Sequence, residues 1–303
     1  MHKITLLQCR ASCLGYNYGN FDTAIYAHNL SGIRLTMEPM VNIALRAARK
    51  AGEMIARASD RTDLIKIDEK GLNDYVTEID RASEKEVIYH LRKAYPDHCI
   101  TGEESGFLKG ENSDYEWIID PLDGTTNFIH GIPHFAVSIG CVYKGRLEHA
   151  VVLDPMRQEE FTASRGRGAY LNGKRIRVSG HSKMAGAIVG TGIPFNSPSI
   201  DHMEPYLKCL TELASQSSGI RRLGVASLDL AYLAAGRLDT FWEMSLKPWD
   251  IAAGLLLVKE AGGLVSDFQG GDHYMESGNI VSATPKLFKP TLQVVQKHLG
   301  YLK

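Results

Sequence analysis

The stretch Trp117-Ile-Ile-Asp-Pro-Leu-Asp-Gly-Thr-Thr-Asn-Phe128 constrains this chain more than any other. Its apolar start, Trp117 to Ile119, reads as a buried strand. That strand runs into Asp120 and Asp123, and a Gly-Thr-Thr turn follows. Strand ends followed by glycine-containing turns are where proteins mixing helices and sheets place charged chemistry. Pro121 fixes the backbone between the two aspartates. The spacing lets both carboxylates converge on a hard cation, which takes oxygen ligands. Gly124, Thr125 and Thr126 offer backbone N–H groups and hydroxyls suited to a phosphate at a turn or helix start. Cation and phosphate side by side imply metal-assisted phosphoryl chemistry. A lone pair of aspartates at this spacing would be read as a solvated turn.

The remaining sequence supplies a large scaffold. With 303 residues, 44% of them hydrophobic, the chain is long enough for one large domain or two and for a sizeable core. A formal net charge of −1 gives no global drive toward nucleic acid or anionic membrane. Five scattered cysteines form neither a disulfide framework nor a zinc pattern, which fits a reducing cytoplasm. No apolar run approaches the roughly 18 residues that span a bilayer. Residues 1–36 show no sustained apolar period and read as an N-terminal extension, disordered or from a mis-called start. The catalytic unit is then 37–303, and a chain beginning at Met37 is expected to fold and act like the whole.

Periodicity predicts the elements. Val41 to Ala58 is an amphipathic helix. Asp80 is expected to cap a helix from Arg81 to Ala94, which Pro96 ends. Phe135–Tyr143 and Leu147–Leu153 read as strands joined at Lys144-Gly145. Glu160–Ala163, Ala169–Leu171 and Arg175–Val178 continue the meander, with Asn172-Gly173 as a type I′ turn. Helices follow at Glu204–Ser215, at Ser227–Ala235 with Gly236 as C-cap, and from Pro248 to Ala261. A last helix is expected after Pro290. Helices mixed with antiparallel strands give an α+β fold rather than a doubly wound parallel sheet.

Four acids stand out: Glu103, Asp120, Asp123 and Asp250. Each lies at an element boundary. Asp250 falls in a first helical turn, where dipole complementarity alone would account for it. Four carboxylates and a nearly dianionic phosphate monoester repel one another. Two or three Mg2+ ions would bring such a cluster near neutrality, and Mg2+ suits all-oxygen ligands. His130 and His134 are four apart, but Gly131 and Pro133 prevent a helix from pairing them on a metal. Arg165, Arg167, Lys174, Arg175 and Arg177 crowd one hairpin and read as its solvated face.

These motifs resemble the inositol monophosphatase family. The Trp117–Phe128 block matches its main signature. Gly102-Glu103-Glu104 and Trp249-Asp-Ile-Ala-Ala-Gly254 match two others in the family's order. The resemblance runs from about Met37 to the C-terminus. It is closest to the bacterial SuhB-type inositol-1-monophosphatases, on Lys70-Gly-Leu-Asn-Asp74, Pro133–Ile139 and Leu228–Tyr232. It implies a layered α-β-α-β-α sandwich, a homodimer and three Mg2+ ions. One ion would take Glu103, Asp120 and the Leu122 carbonyl. A second would take Asp120, Asp123 and Asp250, and a third would sit near Glu103. Glu103 and Thr125 would orient or deprotonate the attacking water, with Asp80 and Thr77 behind them. Beside Leu122 and Asp123, the Gly124 and Thr125 amides would hold phosphate. Glu243 would bind inositol hydroxyls, with Gly224, Ala226 and Asp250 lining the ring, and Arg221 would reach phosphate across the dimer.

The implied activity is lithium-sensitive hydrolysis of myo-inositol-1-phosphate by a metal-activated water, with no covalent intermediate. Fructose-1,6-bisphosphate and 3′-phosphoadenosine 5′-phosphate are rival substrates within the superfamily. SuhB-type proteins are also associated with transcription antitermination through RNA polymerase and Nus factors. No surface legible in this sequence points to that role.

Overall fold

Which layer a helix occupies here follows from how much of its surface is apolar. The computed structural model describes residues 37–61, 65–71, 74–194 and 199–302. The expectation for residues 1–36 falls outside them. In chain order the elements are α1 (Pro39–Ser59), β1 (Ile67–Gly71), β2 (Asp74–Thr77), α2 (Glu78–Ala94), β3 (His98–Gly102), β4 (Gly106–Leu108), β5 (Asn112–Asp123) and α3 (Thr125–Ile129). The meander β6 (Ala136–Tyr143), β7 (Arg146–Asp154), β8 (Glu159–Ser164), β9 (Gly168–Leu171) and β10 (Lys174–Ile176) follows. Then come β11 (Ile188–Thr191), α4 (Met203–Gln216), β12 (Gly219–Arg221), α5 (Ala226–Ala234), β13 (Thr240–Glu243) and α6 (Pro248–Glu260). The chain closes with β14 (Leu264–Ser266), α7 (Tyr274–Ser277), β15 (Ile280–Ala283) and α8 (Pro285–Leu299).

An eight-stranded sheet has the order β10-β9-β8-β7-β6-β5-β3-β4, and a five-stranded sheet the order β12-β11-β13-β15-β14. α1 buries Val41, Ala44, Leu45, Ala48, Ala51 and Ile55 on one stripe and leaves Arg46, Arg49 and Lys50 exposed. Such a helix covers one face and keeps the other in water. α1 and α2 accordingly pack on the outer face of the large sheet, around Trp117, Ile119 and Val137. α5 and α6 are apolar nearly all round, and both lie between the two sheets. α4 and α8 cover the far face of the small sheet with Tyr206, Leu213, Val294 and Leu299. The result is the five-layered α+β sandwich that the family resemblance implied.

Local chemistry matches most of the predicted boundaries. Lys144 and Gly145 have φ of 48° and 75°, and Asn172 and Gly173 have 48° and 74°, which is type I′ geometry. Gly236 follows α5 at φ 74° and closes it as expected. Arg165 pairs with Glu148, and Arg167 with Glu38, on an exposed hairpin face.

Three details differ from the sequence reading. α2 starts at Glu78, because Thr77 is its N-cap and Asp80 sits at the third helical position in a capping box. The last helix starts at Pro285, with Pro290 inside it. There the buried stripe Leu287, Thr291, Val294, Val295 and Leu299 outweighs one missing hydrogen bond. β5 is longer than the strand expected over Trp117–Asp120 and runs from Asn112 through both aspartates to Asp123.

That extension shapes the site. Asp120 pairs with Ser138, and Asp123 with Ala136. Three steps along β5 thus match two along β6, so one extra residue bulges out at Pro121-Leu122. Strict alternation would send Asp120 and Asp123 to opposite faces. Because Ser138 and Ala136 share a face, the bulge puts both aspartates on the side of α5 and α6. Leu122 instead joins the outer core with Trp117 and Ile119.

Candidate active site

Three chain segments bring their acids to this face of β5. Asp120 and Asp123 come from the bulged strand end, Glu103 from the turn after β3, and Asp250 from the first turn of α6. α6 is anchored against β6, where Ser138 Oγ donates to the Trp249 carbonyl at 3.3 Å. The Glu103 N–H donates to the Ile119 carbonyl at 3.1 Å, which fastens its turn to β5.

Each aspartate also accepts a backbone N–H. Asp120 Oδ1 accepts from Leu122 at 3.0 Å, Asp123 Oδ2 from Ser227 at 2.8 Å and Asp250 Oδ2 from Lys247 at 2.7 Å. Asp123 therefore caps the start of α5, and Asp250 closes a capping box on α6. The cap reading of Asp250 is compatible with a second role for its other oxygen.

The electrostatics mark these acids as a single group. Burial raises Asp120 well above the usual carboxylate range, and repulsion from Glu103, Asp123 and Asp250 adds to it. Asp250 is also raised well above that range, by burial and then by Asp123, against the Lys247 N–H. Burial lifts Asp123 to about 6, opposed by its hydrogen bonds at Ser227 and Ala226. Buried like charges disfavour ionisation unless positive charge joins them. The donor set, all oxygen, fits a hard divalent cation. Among the described residues, no three His, Cys, Asp or Glu side chains yet close around one point.

The turn beside the acids depends on one glycine. Gly124 has φ 97°, and a Cβ there would lie 2.7 Å from Val225 Cγ2. Only glycine meets both demands without strain. Asn127 is buried and ties the turn down, its Nδ2 donating to the His134 carbonyl at 2.9 Å and the Leu223 carbonyl at 3.0 Å. Thr125 Oγ1 lies 2.9 Å from Asp80 Oδ1 and 3.0 Å from the Leu122 carbonyl. Asp80 Oδ2 in turn accepts from the Thr77 hydroxyl at 2.5 Å and the Thr77 N–H at 2.9 Å. Thr77, Asp80 and Thr125 thus form one network behind the acids. Gly124→Ala is expected to cost about 1–3 kcal/mol of stability from the left-handed backbone alone. It should also lower turnover by displacing the turn. Thermal unfolding would check this, and an Ala variant of wild-type stability would refute it.

Glu243 ends β13 and faces Gly192, where any Cβ would lie 1.7 Å from its Oε1. Burial raises it to about 8, with Arg222 pulling down and Asp123 pushing up. Arg221 ends β12 and is exposed, with its guanidinium donating to the Ile220 carbonyl at 3.0 Å. The guanidinium that acts on Glu243 belongs to Arg222, which lies against Gly224. Sequence reasoning also missed Asp229, buried on α5 and raised well above the carboxylate range by burial and by Glu243. Ala226 sits at the first turn of α5, near the Asp123 cap. His130 is exposed while His134 is buried, so the two do not form a metal pair.

A five-layered sandwich with an acid-lined strand end and an adjoining glycine turn defines the class: folds of the inositol monophosphatase and sugar phosphatase type. The model of the inositol monophosphatase family matches residues 36–299, and the chain belongs to that family, on its SuhB side. The Nus factor SuhB of Pseudomonas aeruginosa is 63% identical over 265 residues, covering 87% of this chain and 98% of that protein. The crystal structure of the extragenic suppressor protein SuhB from Bartonella henselae matches with a TM-score of 0.84 at 41% identity. It covers 86% of this chain and 100% of that one. An IMPase from Thermotoga maritima matches with a TM-score of 0.77 at 36% identity, over 86% of this chain and 98% of its own.

Proposed function

We propose that this chain is a Mg2+-dependent phosphomonoesterase that hydrolyses myo-inositol-1-phosphate, with residues 37–303 as its catalytic unit. The observation that carries the reading is the cluster of carboxylates beside the Gly124–Thr125 turn, with Asp120 buried, its neighbours half-buried, and Asp120 and Asp250 raised by burial and by the acids around them. Glu103, Asp120, Asp123, Asp250 and the Leu122 carbonyl would hold the ions. Bound Mg2+ would supply the positive charge that admits phosphate and would acidify an attacking water.

The chain's own groups do the rest. The first N–H groups of α3 have no partner inside the helix and can donate to phosphate oxygens. Asp80 can accept the Thr125 hydroxyl proton, leaving the Thr125 oxygen to accept from the water. Glu103 would take that water's proton. Glu243 accepts hydroxyl protons from the substrate ring, beside Arg222. The decisive test is phosphate release from inositol-1-phosphate, fructose-1,6-bisphosphate and 3′-phosphoadenosine 5′-phosphate, with and without Mg2+ and with millimolar Li+. The expected result is Mg2+-dependent, Li+-inhibited release from the first. Preference for either rival would replace the substrate assignment, and no release from any would overturn the enzymatic reading.

One finding favours a second role. The 63% identical relative is named a Nus factor. The chain is accordingly proposed to act as a cytoplasmic homodimer that also associates with RNA polymerase and Nus factors. No described helix is long and apolar enough to cross a membrane. An active-site variant that retains cellular function would support this second role, and parallel loss of both would count against it.

A further inference from the structure

The buried face of α2 is chemically mixed. Asp80, Ser83, Glu84, Val87 and Leu91 recur at three- and four-residue spacings and so share one side of the helix. The last two are ordinary core. The first three are polar yet only 1%, 0% and 2% exposed. Burying polar side chains is costly unless each is hydrogen-bonded. Each of these finds its partner in a different segment of the site. Asp80 accepts from Thr125 at 2.9 Å. Ser83 Oγ donates to the Pro121 carbonyl at 2.8 Å, inside the bulge between Asp120 and Asp123. Glu84 Oε2 accepts the Glu104 N–H at 2.9 Å.

Gly102 belongs to the same arrangement. A Cβ there would lie 2.4 Å from Glu84 Oε2 and 2.6 Å from Glu84 Cδ. The missing side chain lets Glu84 pass beneath the Glu103–Glu104 turn. Glu103 is thereby held on both sides, by its own N–H on Ile119 and by the next N–H on Glu84.

We propose that α2 is the template for the metal-binding segments, with Ser83 and Glu84 as positioning residues for Asp120, Asp123 and Glu103. This rests on the phosphatase reading above. Ser83 fixes the bulge that turns both aspartates to one face, and Glu84 fixes the turn that carries Glu103. Neither needs to touch metal or substrate.

The test is Mg2+ binding to the full chain by calorimetry, without substrate, alongside thermal unfolding of the metal-free protein. Glu84→Ala and Ser83→Ala should each weaken Mg2+ binding about tenfold or more. Glu84→Gln should restore most of the affinity, because its amide oxygen can still accept the Glu104 N–H. Gly102→Ala should resemble Glu84→Ala, and the double variant should be little worse than either. The proposal is overturned if Ser83→Ala and Glu84→Ala lower the melting temperature but bind Mg2+ like wild type. It is overturned equally if Glu84→Gln binds as poorly as Glu84→Ala, since charge and not placement would then be the cause. Wild-type protein that neither binds Mg2+ nor releases phosphate would remove the phosphatase reading, and this inference with it.

Discussion

Asp120→Asn should reduce phosphate release by several orders of magnitude while raising the melting temperature of the metal-free chain at neutral pH. In the proposed site Asp120 would serve two ions, so one amide would remove a charged ligand from each. Stability moves the other way for an electrostatic reason. Burial, with repulsion from Glu103, Asp123 and Asp250, raises the folded-state pKa of Asp120 well above its usual value. Below about pH 3.9 the group is protonated in folded and unfolded chains alike and costs nothing. As pH rises through the folded-state value, ionisation removes stability, and at neutral pH that loss persists. Asparagine is neutral throughout, and its side-chain oxygen can still accept the Leu122 N–H. Melting curves from pH 4 to 8 with a chelator, together with a phosphate assay, measure both halves. Near-normal turnover at saturating Mg2+ would remove Asp120 from the metal site. A variant less stable than wild type at pH 7 would mean that the cost of burying a charge beside like charges does not dominate there.

Above about pH 8, where its carboxylate is ionised, Glu243→Gln should weaken turnover of inositol-1-phosphate by up to roughly 1.5–3 kcal/mol, the usual worth of a hydrogen bond to a charged group. An aryl phosphate, with no hydroxyls at that position, should be hydrolysed almost as before. Glu243 lies at the end of β13, seven residues before Asp250, and is raised to about 8 by burial. Its carboxylate is the better acceptor of hydroxyl protons. KM for inositol-1-phosphate should therefore fall as pH rises through about 8 in the wild type and stay flat there in the variant. Equal damage to both substrates would reduce Glu243 to a buttress of its loop.

The family of this protein was easier to read than its geometry. Trp117–Phe128 exposes its acids, its proline and its glycine in one contiguous run, and the type I′ turns announce themselves in two residues each. The bulge was hidden because nothing local marks it. Whether β5 ends at Asp120 or runs to Asp123 depends on its pairing with β6. α2 offered a legible signal that went unused. Acids and a serine at Asp80, Ser83 and Glu84 interrupt an apolar stripe shared with Val87 and Leu91, and an interrupted stripe asks for partners. Arg221 and Arg222 illustrate the opposite limit. Two adjacent arginines look alike in sequence, and only the path of the chain past Gly224 decides which one meets Glu243.

The extra residue in β5 has a consequence for how such a site can change over generations. The two aspartates share a face through a count, not through any one identity at Pro121 or Leu122. Substitutions there that keep the count leave the facing intact, so the chemistry at the strand end can be retuned one side chain at a time. Losing the bulge at the present length would turn Asp123 toward the apolar outer core, whereas deleting one residue would leave the two aspartates two apart on an uninterrupted strand, still on one face. The facing of the two acids thus survives either length, and what the extra residue adds is the protruding stretch that Ser83 grips through the Pro121 carbonyl.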